Sequence, residues 1–80
     1  MSNLNRVLTY HLSRLQDKSA EVRLKAIKEL ELLASGEETL QNEVLEALKV
    51  AYSTDTDSEV RRAAQEAGRV IYRVRATQGS

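Results

Sequence analysis

The feature that most constrains the fold is a short pattern that occurs twice, 38 residues apart. Residues 17–23 are Asp-Lys-Ser-Ala-Glu-Val-Arg, and residues 55–61 are Asp-Thr-Asp-Ser-Glu-Val-Arg. An alanine follows four residues after each valine, at Ala26 and Ala64. A repeat of this period in a helical pattern is typical of proteins built from stacked helix pairs. The pattern therefore predicts an all-α chain with an internal duplication.

Apolar residues recur at steps of three and four along four segments, which predicts four amphipathic helices. Short polar turns join the first helix to the second and the third to the fourth, so the four helices are expected in two pairs. Asn3, Ser19 and Asp57 are the predicted N-caps. Gly36 is predicted to end the second helix in a left-handed conformation.

The length of 80 residues allows one small domain. We expect that domain over residues 3–75, with one repeat at about 3–35 and the other at about 37–75. Residues 76–80 are polar and end in glycine and serine, so they are predicted to be a flexible tail. The two repeats align with an offset of 37 residues in their first helices and 38 in their second helices.

Charge and composition exclude several classes of protein. Twelve acidic residues balance twelve lysines and arginines, which makes nucleic acid an unlikely partner. There is no apolar stretch long enough to cross a membrane, and no membrane partner is expected. The chain has no cysteine, which permits a reducing compartment, and a cytoplasmic location is the expectation.

No residue set in the sequence suggests catalysis or a cofactor. His11 is the only histidine, and it falls on or beside the apolar face of the first helix. A metal site needs several good ligands, and a triad needs a nucleophile held by a base. The three glycines are isolated, so there is no glycine-rich phosphate loop. We therefore predict a protein that is not an enzyme and has no catalytic, metal or cofactor residues.

The duplicated pattern Asp-x-[Ser/Asp]-x-Glu-Val-Arg-x-x-Ala resembles the second half of a HEAT repeat. Together with the helices that precede each copy, the resemblance covers roughly residues 4–75. The resemblance extends to short bacterial HEAT-like proteins of the phycobilisome-lyase type. The resemblance implies antiparallel helix pairs stacked as a fragment of a right-handed α-solenoid.

In HEAT repeats, the aspartate before the second helix and the arginine within it form a ladder between neighbouring repeats. The matching positions in this chain are Asp17, Arg23, Asp55 and Arg61. The chemistry agrees with that role, because an aspartate at a turn accepts backbone N–H bonds and an arginine fork can bridge it bidentately.

Gly68 departs from the family pattern. The first repeat has Leu30 at the equivalent position, eight residues after the valine of the duplicated pattern. Glycine inside a helix costs about 1 kcal/mol relative to alanine, so an offsetting benefit is expected. One interpretation is close helix packing within the chain, beneath Tyr52. The other is a notch on the terminal face that receives a side chain of a partner.

The fourth helix carries a basic strip at Arg62, Arg69 and Arg73, spaced by seven and four residues. Three interpretations remain open. The strip can be a solvated helix face, or it can contact an acidic protein surface, including the acidic third helix of another copy. It can also bind nucleic acid, although HEAT-like proteins that do so are longer and more basic.

The leading functional hypothesis is a non-catalytic protein-binding or scaffold module. With only two repeats, both ends of the stack are open, so a homodimer through these ends is an alternative partner arrangement. A helper subunit of a bilin-attachment system and a weak nucleic-acid binder are the other two functional hypotheses. The residues predicted to contact a partner protein are Arg23, Lys28, Arg62, Arg69 and Arg73.

Overall fold

The computed structural model describes residues 3–78, which form four α-helices, one turn of 3-10 helix and no strand. The helices are α1 (Asn3–Arg14), α2 (Ala20–Gly36), α3 (Gln41–Thr54) and α4 (Ser58–Gln78), and the 3-10 turn (Glu38–Leu40) leads into α3. The prediction of an all-α fold with four helices in two pairs is confirmed. We call α1 with α2 the first hairpin and α3 with α4 the second hairpin.

Side-chain caps start α2 and α4 as the sequence predicts. The Ser19 hydroxyl accepts a hydrogen bond from the backbone N–H of Val22 at 3.3 Å. Asp57 Oδ1 accepts two, from the N–H groups of Glu59 at 2.8 Å and Val60 at 3.1 Å. These bonds satisfy N–H groups that have no partner within the helix itself, and they fix where each helix begins.

Three predicted helix ends differ from the structure. Gly36 has no positive φ and is the last residue of α2, which ends because Glu37 is extended. The left-handed cap predicted there is therefore wrong. Asn3 is the first residue of α1 rather than the residue before it, and α4 continues to Gln78, into the segment predicted to be a tail. Ser80 and Gly79 lie outside the described residues.

One apolar core holds the two hairpins together. α4 packs against both α3 and α2, and α1 packs against α2. Leu30, Val44, Val60 and Ile71 are completely buried in this core. The hairpins therefore meet mainly through their second helices. On the other side, a cleft of about 390 Å³ separates the C-terminal parts of α1 and α3.

A buried glutamine ties the start of α3 to the ends of α2 and α4. Gln41 Nε2 donates to the backbone carbonyl of Ala34 at 3.2 Å and to the side-chain oxygen of Gln78 at 2.9 Å. Its Oε1 accepts from Arg75 Nε at 3.2 Å. These contacts satisfy an otherwise costly buried amide, and they explain why the helix extends beyond residue 75.

Gly68 is not required for close packing inside the chain. A Cβ atom added at this position would meet nothing within 4 Å. The interpretation of close packing beneath Tyr52 is therefore wrong. The glycine lies in the middle of α4, half-buried, and leaves open space on the surface of the second hairpin.

We predict that Gly68→Ala raises the free energy of unfolding by about 1 kcal/mol, because alanine has the higher helix propensity and its methyl group meets no neighbour. Urea unfolding followed by circular dichroism measures this change. Gly36→Ala is the control at a helix end, and it is expected to have a smaller effect. A Gly68→Ala variant less stable than the wild type would show that the space is not open.

Candidate functional site: the duplicated corners and two open flanks

Each hairpin turns through a corner in which an aspartate folds back on the chain. Asp17 Oδ1 accepts a hydrogen bond from the N–H of Ser19 at 2.9 Å. Asp55 Oδ1 accepts the equivalent bond from the N–H of Asp57 at 3.0 Å. In both corners the bonded N–H belongs to the residue that caps the following helix. The aspartates of the duplicated pattern therefore position the N-termini of α2 and α4.

An arginine closes each corner from inside the following helix. Arg23 Nη1 donates to the carbonyl of Asp17 at 2.7 Å, and Arg61 Nη1 donates to the carbonyl of Asp55 at 2.8 Å. The same nitrogen meets the same carbonyl in both hairpins. This contact holds the rest of each guanidinium in a defined place beside its corner.

The two corners are joined by one ion pair. Arg23 Nε lies 2.9 Å from Asp55 Oδ2, and Arg23 Nη2 lies 3.1 Å from Asp55 Oδ1. The side chains are only 13% and 8% exposed, so little water competes for these bonds. The contact between repeats that the HEAT resemblance implied at these positions is thus present between the first hairpin and the second.

The charge state of Asp55 depends on this corner. Burial by itself would raise the pKa of its carboxyl group, but the N–H of Asp57, the guanidinium of Arg23 and the charge of Arg61 outweigh it. The pKa of Asp55 consequently lies below its ordinary value of 3.8. Asp55 is therefore ionised throughout the neutral range and holds Arg23 as a charged partner.

Part of Arg61 and part of Asp17 have no partner within the described residues. Within residues 3–78, no hydrogen bond or ion pair reaches Nε or Nη2 of Arg61, although these atoms correspond to the two nitrogens of Arg23 that bind Asp55. Within the same residues, Asp17 Oδ2 also lacks a partner. Arg61 of the second hairpin is thus the unpaired counterpart of Arg23, and Asp17 of the first hairpin is the unpaired counterpart of Asp55.

The predicted partner-binding residues lie in three different settings. The guanidinium of Arg23 is engaged with Asp55 and mostly buried, so it offers little surface to a partner. The side chain of Lys28 is 67% exposed and lies 3.8 Å from Glu31 one turn away. The remaining three form an exposed row on the side of α4 opposite the core, which we call the arginine ridge: Arg62, Arg69 and Arg73.

Equivalent residues of the two hairpins differ in burial, which identifies one open flank. Leu30 and Ala34 of α2 are completely covered, whereas the matching residues of α4, Gly68 and Tyr72, are half-buried and 57% exposed. The second hairpin covers the flank of the first, but nothing within residues 3–78 covers the same flank of the second. This C-terminal flank consists of Leu45, Tyr52, Gln65, Gly68 and Tyr72.

The C-terminal flank is concave and mainly apolar. All five of its residues line one surface cavity of about 230 Å³, with Arg69 at its edge. Tyr52, 46% exposed, stands where the first hairpin has the buried Leu15. Gly68 supplies the empty volume, because a leucine occupies the matching position in the first hairpin.

A second open flank lies at the other end of the stack. Val7 is 41% exposed, whereas its counterpart Val44 is fully buried between the hairpins. Glu29 is exposed at the position where α4 has the buried Ala67. This N-terminal flank consists of Val7, Val22, Glu29 and Leu33. Three of its members line a shallow cavity of about 270 Å³ with His11 and Leu32.

The remaining chemistry of the described residues is sparse. His11 is half-buried and contacts the ring of Tyr10, with the ring centroids 5.1 Å apart. Within residues 3–78, no three His, Cys, Asp or Glu side chains come together as a metal site would need. None of the helices described combines the length and apolar composition of a membrane span.

The sequence analysis missed the buried Gln41, and it anticipated the C-terminal flank only as a notch at Gly68 on the terminal face. Gln41 does carry a signal, because it stands three residues before Val44 on an otherwise apolar helix face. For the flank, the signal was the pairing of Gly68 and Tyr72 with buried residues of the first repeat. This signal could be recognised only once the structure showed which side of the first hairpin the second hairpin covers.

We predict that Asp55→Asn lowers the free energy of unfolding at pH 7 by about 2 kcal/mol, because it leaves Arg23 without its charged partner. Since the pKa of Asp55 is lowered in the folded chain, the stabilisation is present above the ordinary value of 3.8 and is lost as pH falls through the folded-state pKa. The difference between wild type and variant should therefore shrink in acid. Urea unfolding between neutral pH and acid measures it.

Asp17→Asn is the matched control, because it makes the same chemical change at the equivalent corner. The carboxylate of Asp17 has no arginine partner within residues 3–78, so its loss of charge should change stability by less than about 0.5 kcal/mol. Both variants are compared at micromolar protein concentration. Equal effects of the two substitutions, or a difference that does not depend on pH, would contradict the role assigned to Asp55.

Comparison with protein-family models, with curated proteins and with solved structures found no match to this chain. The HEAT resemblance therefore remains a prediction that rests on the duplicated pattern. The internal comparison of the two hairpins is what defines the open flanks and their counterparts.

Proposed function

We propose that the chain is a non-catalytic protein-binding module of two HEAT-like helix pairs, which docks a partner protein on its C-terminal flank. The observation that carries the proposal is the exposure of Tyr72 and Tyr52 around the Gly68 notch. The same flank of the first hairpin is completely covered by another hairpin. A stacked repeat that ends in an apolar, concave surface instead of a polar cap is well suited to bind a further protein surface.

The residues of the C-terminal flank have the chemistry of a contact surface. Tyrosine offers a large apolar ring with a polar tip, and tyrosine and arginine are enriched among residues that dominate binding energy. Tyr52 and Tyr72 supply two such rings, and Arg69 adds a charged group at the edge of the notch between them. A partner side chain that enters the notch would be surrounded by both rings.

The arginine ridge suggests the charge of the partner. Arg69 lies beside the notch and Arg62 and Arg73 continue the row along α4, while Glu66 is the one acid between them. A partner with carboxylates next to an apolar side chain would match both surfaces. The net charge of zero gives the whole chain no general attraction for nucleic acid.

We predict that Arg62→Ala, Arg69→Ala and Arg73→Ala together, and separately Tyr52→Ala with Tyr72→Ala, reduce the amount of bound partner at least about tenfold, since each change removes more than 1.4 kcal/mol of contact energy. The measurement uses the tagged chain as bait in a nuclease-treated extract, with quantification of every recovered protein. All five substituted side chains are exposed and lie outside the buried core, so circular dichroism should show that the variants remain folded.

The matched control is Arg6→Ala, Lys18→Ala and Lys25→Ala, which removes the same positive charge from exposed positions away from the ridge. It should recover the same partners as the wild type. Recovery of an unchanged set by both test variants would contradict the proposed function. Arginine-dependent binding that disappears on nuclease treatment would instead indicate nucleic acid as the partner.

A further inference from the structure

The geometry of the open ends points to a specific partner for the C-terminal flank: the N-terminal flank of a second copy of this chain. This inference rests on the proposed function, because it takes the C-terminal flank as a docking surface. Copies would stack head to tail, and each junction would repeat the contact that joins the two hairpins within one chain. Three observations support it.

The first observation is that the corner contact exists in two complementary halves. Inside the chain, Nε and Nη2 of Arg23, the two nitrogens that do not bind the Asp17 carbonyl, bind Asp55 of the next hairpin. Arg61 is held by the same nitrogen on the same kind of carbonyl, so its Nε and Nη2 are presented in the same way at the C-terminal end. Asp17 is held by the same backbone bond as Asp55 and belongs to the first hairpin, and its Oδ2 has no partner within residues 3–78. An Arg61-to-Asp17 contact between copies would therefore complete both halves.

The second observation is that one flank has a smaller side chain, and the other a larger side chain, than the matching positions of the inner interface. Within the chain, the large Leu30 and the small Ala67 are both buried where α2 meets α4. At the open ends, the counterpart of Leu30 is Gly68, and the counterpart of Ala67 is Glu29. The flank that has lost a side chain would thus face the flank that has gained one.

The third observation is the charge at the notch. Glu29 is exposed on the N-terminal flank, and Arg69 lies at the edge of the cavity beside Gly68. A carboxylate that entered this notch from the next copy would lie near a guanidinium that is free to meet it. The pair would replace the apolar contact of the inner interface with a charged one, which makes association weaker at high salt.

The apolar residues around these charges also correspond. Val7, Val22 and Leu33 are at least partly exposed on the N-terminal flank, while their counterparts are buried between the hairpins: Val44, Val60 and Ile71. Tyr52 and Tyr72 offer the matching apolar surface on the other flank. Because the two surfaces differ, the interface is heterologous, and association does not stop at a dimer unless a ring closes.

Sedimentation velocity of the complete chain over a concentration series tests the inference. We expect the mass at low ionic strength to grow beyond that of a dimer as the concentration approaches about 1 mM, the range of a weak contact. Salt at about 0.5 M should reduce association, because it screens the two ion pairs.

Two variants leave the fold intact and disrupt different parts of the junction. Asp17→Asn removes the acceptor charge for Arg61, and Gly68→Leu restores the residue of the first hairpin and fills the notch. Each should weaken association about tenfold or more, because a charged hydrogen bond or a shape match is lost. Gly68→Leu should unfold at higher urea than the wild type, which separates lost association from lost structure.

A charge exchange adds a test by rescue. Asp17→Arg alone and Arg61→Asp alone would each oppose like charges at the junction and should remain monomeric. A mixture of the two variants restores an opposite-charge pair at every junction and should form alternating stacks. Circular dichroism of each variant confirms that it is folded before mixing.

The inference would be overturned if the wild-type chain stays monomeric at about 1 mM and low salt, because weak specific contacts have dissociation constants of this order. An association that stops at a dimer, or that Asp17→Asn leaves unchanged, would also overturn it. If the chain is monomeric but Tyr52→Ala with Tyr72→Ala still abolishes binding of a different protein, only the second copy is ruled out as partner. If that binding is also absent, the proposed function fails with it.

Discussion

The two hairpins share one apolar core, and the bidentate bond between Arg23 and Asp55 fixes how their corners meet beside that core. Each corner is built first by local bonds, since an aspartate positions the capping residue and an arginine one turn later closes on the aspartate's carbonyl. The same arginine then reaches the aspartate of the following hairpin. The contact joins α2 to the turn before α4, and the apolar residues between these two helices form part of the core. A single pattern of seven residues therefore specifies a turn, a helix start and the stacking of one repeat on the next.

A duplicated unit that stacks in this way always leaves two different ends, and this chain has altered each of them. The N-terminal flank has an exposed glutamate where the inner flank has a buried alanine. The C-terminal flank has tyrosines and a glycine where the inner flank has leucine and alanine. Gly68 is not needed for packing inside the chain, it weakens its own helix, and it leaves space on the surface. The functional proposals follow from this difference between equivalent residues.

The sequence was sufficient for most features that depend on local pattern. Helix periodicity predicted the four helices, and the capping roles of Ser19 and Asp57 follow from side-chain chemistry within three residues. The left-handed cap at Gly36 was wrong because an extended Glu37 ends that helix without a positive φ. Gln41 and the role of Gly68 depend on contacts 34 to 37 residues apart, or on their absence, which no local pattern encodes. The candidate site also depended on long-range packing, because Arg23 is buried by Asp55 whereas the arginine ridge is not.

A double-mutant cycle on Arg23→Ala and Asp55→Ala tests most directly whether the corner contact holds the hairpins together. The cycle removes the purely local effects of each substitution, such as loss of the aspartate's bond to the N–H of Asp57. Urea unfolding of the four chains gives the coupling free energy. The account predicts a coupling of about 1–3 kcal/mol, since both side chains are largely buried and make two charged hydrogen bonds. A coupling within about 0.3 kcal/mol of zero would contradict it.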